Sequence, residues 1–332
     1  MNIVKAEILF SRKCNLSCAY CGMVTNKENT LSIEQWYHGL DNLKKAGCSF
    51  AAFYGAEPML EYNKLKHVVA YAEYIGIHTT VITSGSRIPE FRKKVRTMVE
   101  MGAKSFSMSY TMNAFCSSTK LKREEAFQHL KYIGSLRGIR DVAAITTVTS
   151  DNYHLLPAMI TKMSAANIWT FFDFLHMDRG MPGTKCRGNK STLLIQKKDI
   201  YPLLEVMETI STMKRDGYLV HTNEPFIEKL KENLLSGQSI YNWYCTESDM
   251  FPSWVTIDCD GSILPCDDFN VMENPPKFHE HAVERWDDLF DVFKRQINYE
   301  GCHCCWNTHI DAHAVKAGII PITNYIHGDI NG

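Results

Sequence analysis

No stretch of about 18 apolar residues occurs anywhere in the 332-residue chain, so no segment reads as a transmembrane helix. The opening run, Met1-Asn2-Ile3-Val4-Lys5-Ala6-Glu7, lacks the charged start and apolar core of a signal peptide. Together these absences lead us to expect a cytoplasmic protein. Net charge is also missing. The 36 Lys and Arg nearly balance the 37 Asp and Glu, a formal charge of −1. No global field therefore favours nucleic acid or an anionic membrane, and neither is expected as a partner. Low-complexity tracts and sequence repeats are absent too. Cysteine, by contrast, is plentiful, with twelve in the chain. In a reducing compartment that number argues for metal rather than disulfides.

The length suffices for one large domain and a small one. At 45% apolar and 22% charged, the composition is ordinary for a globular protein. Strand-like runs are expected at residues 6–11, 49–55, 78–84, 104–110, 142–149 and 169–175. Amphipathic stretches of helical period lie between them, among them 32–46, 65–75, 91–101 and 123–136. Ser32 followed by Gln35 reads as a capping box. Gly47, Gly76 and Gly102 sit where helices end in a left-handed residue. Strands separated by helices imply parallel pairing with right-handed crossovers. Six such units are too few for a closed eight-stranded barrel. The Gly-, Lys- and Arg-rich stretch 178–198 reads as a linker. A helix over 200–215, a short strand over 218–221 and a helix over 225–235 are expected after it.

Cys14, Cys18 and Cys21 form C-x3-C-x2-C directly after the first strand. Three thiolates on one short loop can hold three irons of a four-iron cluster, which normally takes four cysteines. The fourth iron is then open for chemistry, as in catalytic metal sites. The competing zinc site needs a fourth ligand, and the loop offers none. A second group comprises Cys245, Cys266, Cys302 and Cys305, with Cys302 and Cys305 spaced C-x2-C. Asp260-Gly261, between apolar runs, signals a hairpin over 254–266. A helix is expected over 284–296. Four-thiolate zinc ligation remains open for this second group. Cys259 and Cys304 are left over, and either spacing allows substitution for one of the four. His303 and His309 read as surface histidines. Cys48 opens a buried strand and reads as a small hydrophobe. Cys116 and Cys186 lie near the expected barrel mouth, where a thiol could donate a hydrogen atom, although a plain packing role is the commoner one.

The cysteine loop resembles that of the radical S-adenosylmethionine (SAM) enzymes. The resemblance implies an α/β fold, a partial (β/α)6 TIM-like barrel. It also implies a [4Fe–4S] cluster on Cys14, Cys18 and Cys21 that cleaves SAM to a 5′-deoxyadenosyl radical. Tyr20 would cover the cluster or the adenine. Gly55-Ala56-Glu57-Pro58 resembles the family's Gly-Gly-Glu-Pro signature, whose backbone and Glu bind SAM's amino group. Ala56 replaces the second Gly, which is tolerable if that residue does not need a positive φ. Ser84 stands where the family often has Asn. Ser107 and Ser109, on one face of the fourth strand, and Thr147 and Thr149 near the end of the fifth are candidates for the SAM ribose.

The segment from Cys245 resembles the SPASM/twitch auxiliary module in its shorter one-cluster form. Cys245, Cys266, Cys302 and Cys305 would fully ligate a second [4Fe–4S] cluster. The implied division is a core at 1–195, a helical connector at 196–240 and a small α+β module at 241–332. The implied activity is hydrogen abstraction and oxidation of a substrate carbon, as in the twitch-bearing aminocyclitol dehydrogenase. The alternatives are a peptide or protein modifier (cross-linking, epimerisation or maturase-type) and a non-catalytic iron–sulfur or zinc protein. The absence of a leader-binding domain before the first strand weakens the peptide reading. The absence of a C-terminal Gly-Gly tail argues against the molybdenum-cofactor cyclase. Expected partners are a small-molecule or peptide substrate and a flavodoxin- or ferredoxin-type electron donor.

Overall fold

Alternation of buried strands and amphipathic helices builds one sheet. The computed structural model describes residues 3–18, 21, 23–24, 28–110, 112, 119–175, 193–237, 240, 254–264, 272 and 274–300. The strands are β1 (Lys5–Ser11), β2 (Phe50–Gly55), β3 (His78–Thr83), β4 (Ser105–Ser109), β5 (Asp141–Val148) and β6 (Trp169–Phe174). Between them run α1 (Ile33–Lys45), α2 (Tyr62–Tyr74), α3 (Phe91–Glu100), α4 (Thr119–Gly134) and α5 (Leu156–Ser164). Each strand pairs in parallel with the next, which is the expected βα architecture. After β6 come α6 (Ile200–Arg215), α7 (Glu224–Leu235), β7 (Trp254–Ile257), β8 (Ile263–Leu264) and α8 (Trp286–Glu300).

Local signals account for the boundaries. Ser32 and Gln35 close a reciprocal capping box on α1. Gly47, Gly76 and Gly102 have φ of 95°, 77° and 118°, ending α1, α2 and α3 in the left-handed region. The outer faces of the strands carry Ile8, Phe10, Phe53, Val81, Phe106 and Phe172, all at most 1% exposed. They pack against Leu40, Val68, Val95, Leu130 and Ile210 from the helices in one hydrophobic core. Burying each such side chain contributes roughly 1.5–3 kcal/mol.

One feature departs from the pattern read in the sequence. Residues 218–221 form a single parallel bridge, Thr170 to Val220, rather than a strand. The hairpin of β7 and β8 joins the core sheet. The strand order is β6-β5-β4-β3-β2-β1-β7-β8, so β7 extends the core sheet beside β1 in parallel register.

Candidate functional site at the C-terminal ends of the strands

Inward-facing residues of β3 and β6 are partly exposed while their outward neighbours are buried. The reason is a cavity of ≈ 550 Å³ inside the curve of the sheet, with walls drawn from β1 to β6. A closed barrel fills this space with bulky side chains. Here Ala52, Ser105, Ser107 and Ala143 leave it open.

The cysteine loop forms one wall. Cys14, Cys18 and Cys21 all line the cavity, and each is half-buried and outside any disulfide. The N–H of Leu16 donates to Cys14 Sγ at 3.3 Å, and that of Cys21 to the Cys18 carbonyl at 3.1 Å. Burial pushes the Cys14 thiol up, with the charges of Glu57 and Cys21 acting in the same direction. Bound metal would reverse this, because ligation requires the thiolate. Among the described residues no three Cys, His, Asp or Glu side chains form a site for a single ion. An all-thiol set spread along a cavity wall suits a multi-iron cluster instead.

The end of β2 is stitched to this loop. Ala56 N–H donates to the Ser11 carbonyl at 2.8 Å, and Glu57 N–H to that of Lys13 at 2.9 Å. Gly55 has φ 128°, and a Cβ there would collide with the Ser11 carbonyl oxygen. Only glycine suits that position. Ala56 is not among the residues with positive φ, so its methyl costs no strain.

Gly55 and Ala56 face the cavity; Glu57 and Pro58 are not among its walls. Glu57 is fully buried, and its carboxylate accepts four hydrogen bonds: from Met59 N, Thr83 Oγ1, Ser84 N and Ser84 Oγ, at 2.6–3.1 Å. Each carboxylate oxygen thus accepts two internal hydrogen bonds.

Ser84, Ser107, Ser109 and Thr147 all line the cavity. Ser107 Oγ lies 3.3 Å from Thr80 Oγ1. Thr149 is buried, its N–H held by Asn152 Oδ1 at 2.8 Å, and is not a wall residue. Cys48 is fully buried and its thiol is pushed up to about 12, as a structural cysteine should be. Cys259 is buried with its thiol 3.5 Å from the Glu28 carbonyl. Tyr20, Cys116, Cys186, Cys245, Cys266, Cys302, His303, Cys304, Cys305 and His309 lie outside the described residues, as does most of the expected linker.

Polar groups deep in the cavity escaped the sequence reading. Lys5 Nζ pairs with Glu7 Oε1 at 3.0 Å, both nearly buried, and Tyr54 donates to Glu7 Oε2 at 3.4 Å. Asp141, held by Arg140 at 2.9 Å, and Asp173 also reach the walls. The available signal was a Lys and a Glu two residues apart in a buried strand, which places both on one face.

Residues 8–113 match the family model of the radical SAM superfamily. The match covers about a third of the chain, and that segment is similar to the radical SAM superfamily. Over 83 residues it is 37% identical to the S-adenosylmethionine-dependent nucleotide dehydratase of Selenomonas ruminantium. That match spans 25% of this chain and 30% of the relative. The fold resembles Streptococcus suis SuiB bound to precursor peptide SuiA, with TM-score 0.64 and 17% identity, over 88% of this chain and 67% of SuiB. It also resembles anSMEcpe with bound AdoMet and the Cp18Cys peptide, with TM-score 0.59 and 15% identity, over 98% and 99% of the two chains. At such identities the likeness is one of fold. The matched family model and the nucleotide dehydratase point to an enzyme. No helix among the described residues is long and apolar enough to cross a membrane.

Proposed function

We propose that this chain is a radical SAM enzyme that takes a hydrogen atom from a substrate carbon and oxidises it. The observation that carries this reading is the placement of Cys14, Cys18 and Cys21 on one cavity wall, within the matched segment 8–113. Those three cysteines would hold a [4Fe–4S] cluster, which would supply the electron for reductive cleavage of SAM. The chain's own residues then have three tasks. The backbone at Gly55 and Ala56, with Ser84, Ser107, Ser109 and Thr147, orients SAM. Tyr20 covers the adenine or the cluster. The inward faces of β1 to β6 hold the substrate carbon close and keep water out.

Cys245, Cys266, Cys302 and Cys305 are proposed to hold an auxiliary [4Fe–4S] cluster in a C-terminal module, 241–332, following a core of 1–195 and a connector of 196–240. Its role would be to accept the second electron of a two-electron oxidation. A flavodoxin- or ferredoxin-type protein is proposed as the electron donor.

A second reading, a peptide or protein modifier, is favoured by the fold shared with SuiB and anSMEcpe, both seen with peptides. The nucleotide dehydratase covers too little of either chain to choose the substrate.

The test is anaerobic reconstitution followed by reduction with dithionite. About eight irons per chain, as two four-iron clusters, should load, and 5′-deoxyadenosine and methionine should form. The triple variant Cys14→Ala, Cys18→Ala, Cys21→Ala should keep about half the iron and lose SAM cleavage. Zinc in the N-terminal site of a protein inert toward SAM would overturn the reading.

A further inference from the structure

The cysteine loop is held from outside the barrel by the tip of the β7–β8 hairpin. Arg12 precedes Cys14 by two residues and is fully buried. Its Nε donates to Asp258 Oδ1 at 2.8 Å, and its Nη1 lies 3.9 Å from Met23 Sδ, just past Cys21. Asp258 is 1% exposed, and the same oxygen accepts from Cys259 N at 2.8 Å. The tip also meets the segment that leaves the loop. Cys259 Sγ sits 3.5 Å from the Glu28 carbonyl. Gly261, at φ 82°, approaches Leu31 so closely that a Cβ would lie 3.1 Å from its Cδ1. Residues 258–261 therefore touch the loop both before Cys14 and after Cys21.

A buried Arg–Asp pair is a poor way to gain stability, because desolvation offsets the attraction and apolar replacements often do as well. What such a pair supplies is geometry. A guanidinium gripped on one edge fixes the direction in which the chain leaves β1, and with it the position of Cys14. We propose that the C-terminal hairpin is a positioning element for the three-cysteine loop, acting through Arg12 and Asp258. The proposal rests on the radical SAM reading. It implies that the C-terminal segment serves the first cluster as well as any cluster of its own.

The decisive comparison is the double variant R12M/D258L, which replaces both charges with apolar groups. If the pair only stabilises the fold, this variant should match the wild type throughout. If it positions the loop, thermal stability should stay near wild type. Amides 13–18 and 28–31 of the cluster-free protein should nevertheless exchange about tenfold faster. In the reconstituted protein the Kd for SAM should rise roughly tenfold, and the EPR signal of the reduced, SAM-bound first cluster should change. Wild-type exchange, SAM affinity and EPR signal in a folded double variant would overturn the proposal. Should the double variant fail to fold, D258N decides. It retains the shape and the accepting oxygen but not the charge, and should show the same loop exchange and SAM defect. A D258N protein with wild-type values overturns the proposal. A wild type that binds no SAM would refute the radical SAM reading, and loop exchange in the cluster-free protein would still decide this one.

Discussion

Glu57 Oε2 accepts two hydrogen bonds from Ser84, one from its N–H at 2.9 Å and one from its hydroxyl at 2.6 Å. With Thr83 Oγ1 on the other oxygen at 2.6 Å, the carboxylate pins the end of β2 to the end of β3. Those two ends present Gly55, Ala56 and Ser84 to the cavity. The acidic residue of the signature thus shapes the cavity rim from behind.

Glu57→Gln tests this. The amide has one acceptor oxygen where the carboxylate has two, and its NH2 would face Thr83 or Ser84. Loss of charge-assisted, buried hydrogen bonds should cost roughly 1–3 kcal/mol. Urea denaturation of the cluster-free protein measures it. We expect SAM affinity to fall only as far as the rim loosens. A variant of unchanged stability with a large loss of SAM affinity would show that the carboxylate meets SAM directly.

Gly55→Ala and Ala56→Gly should behave oppositely. The first puts a Cβ at φ 128° against the Ser11 carbonyl and should lose at least about 2 kcal/mol. The second removes a methyl from a residue under no backbone strain and should stay within about 1 kcal/mol of wild type. Equal stabilities for the two variants would contradict the geometry at the end of β2.

Replacing Cys302 and Cys305 with Ala should leave about four irons per chain. Uncoupled formation of 5′-deoxyadenosine should persist, while substrate turnover fails. Metal binding contributes folding free energy, so circular dichroism must first show a folded variant. Turnover at the wild-type rate would refute the electron-transfer role of the auxiliary cluster.

Acid should weaken the fold through His279. Burial holds its pKa below the ordinary 6.5, opposed by Glu280 and assisted by Lys277 and His38. Its Nε2 faces Gln35 at 3.3 Å, while the buried Nδ1 has no hydrogen-bond partner. Because the folded pKa is depressed, the unfolded chain binds the proton more readily. This contribution is complete above pH 6.5 and is lost as pH falls towards the folded pKa. Denaturation midpoints between pH 7.5 and 5.5, compared with those of His279→Gln, measure the effect; the variant should show the shallower decline.

The βα alternation was legible because its signals are local. Gly47, Gly76 and Gly102, the Ser32–Gln35 box and the apolar runs each act within a few residues. The strands accordingly fall within one or two residues of their expected limits. Long-range pairing was not readable. Nothing near Trp254 says that its partner is Lys5. The radical SAM motif names residue types, and it located Cys14, Cys18, Cys21, Gly55 and Ala56 on the cavity. It could not show that Glu57 turns away, since side-chain direction depends on donors that β3 supplies.

An open sheet has two outer strands, and each offers unpaired backbone groups to a neighbouring molecule. Here part of each is covered by the chain itself. Along β6, Thr170 exchanges hydrogen bonds with Leu219 and His221. Along β8, only two residues long, Ile263 N–H donates to the Pro276 carbonyl, and Ser262 bridges to Lys277. Among the described residues, short segments outside the sheet therefore cover part of both margins, which shortens the edge on which copies could stack.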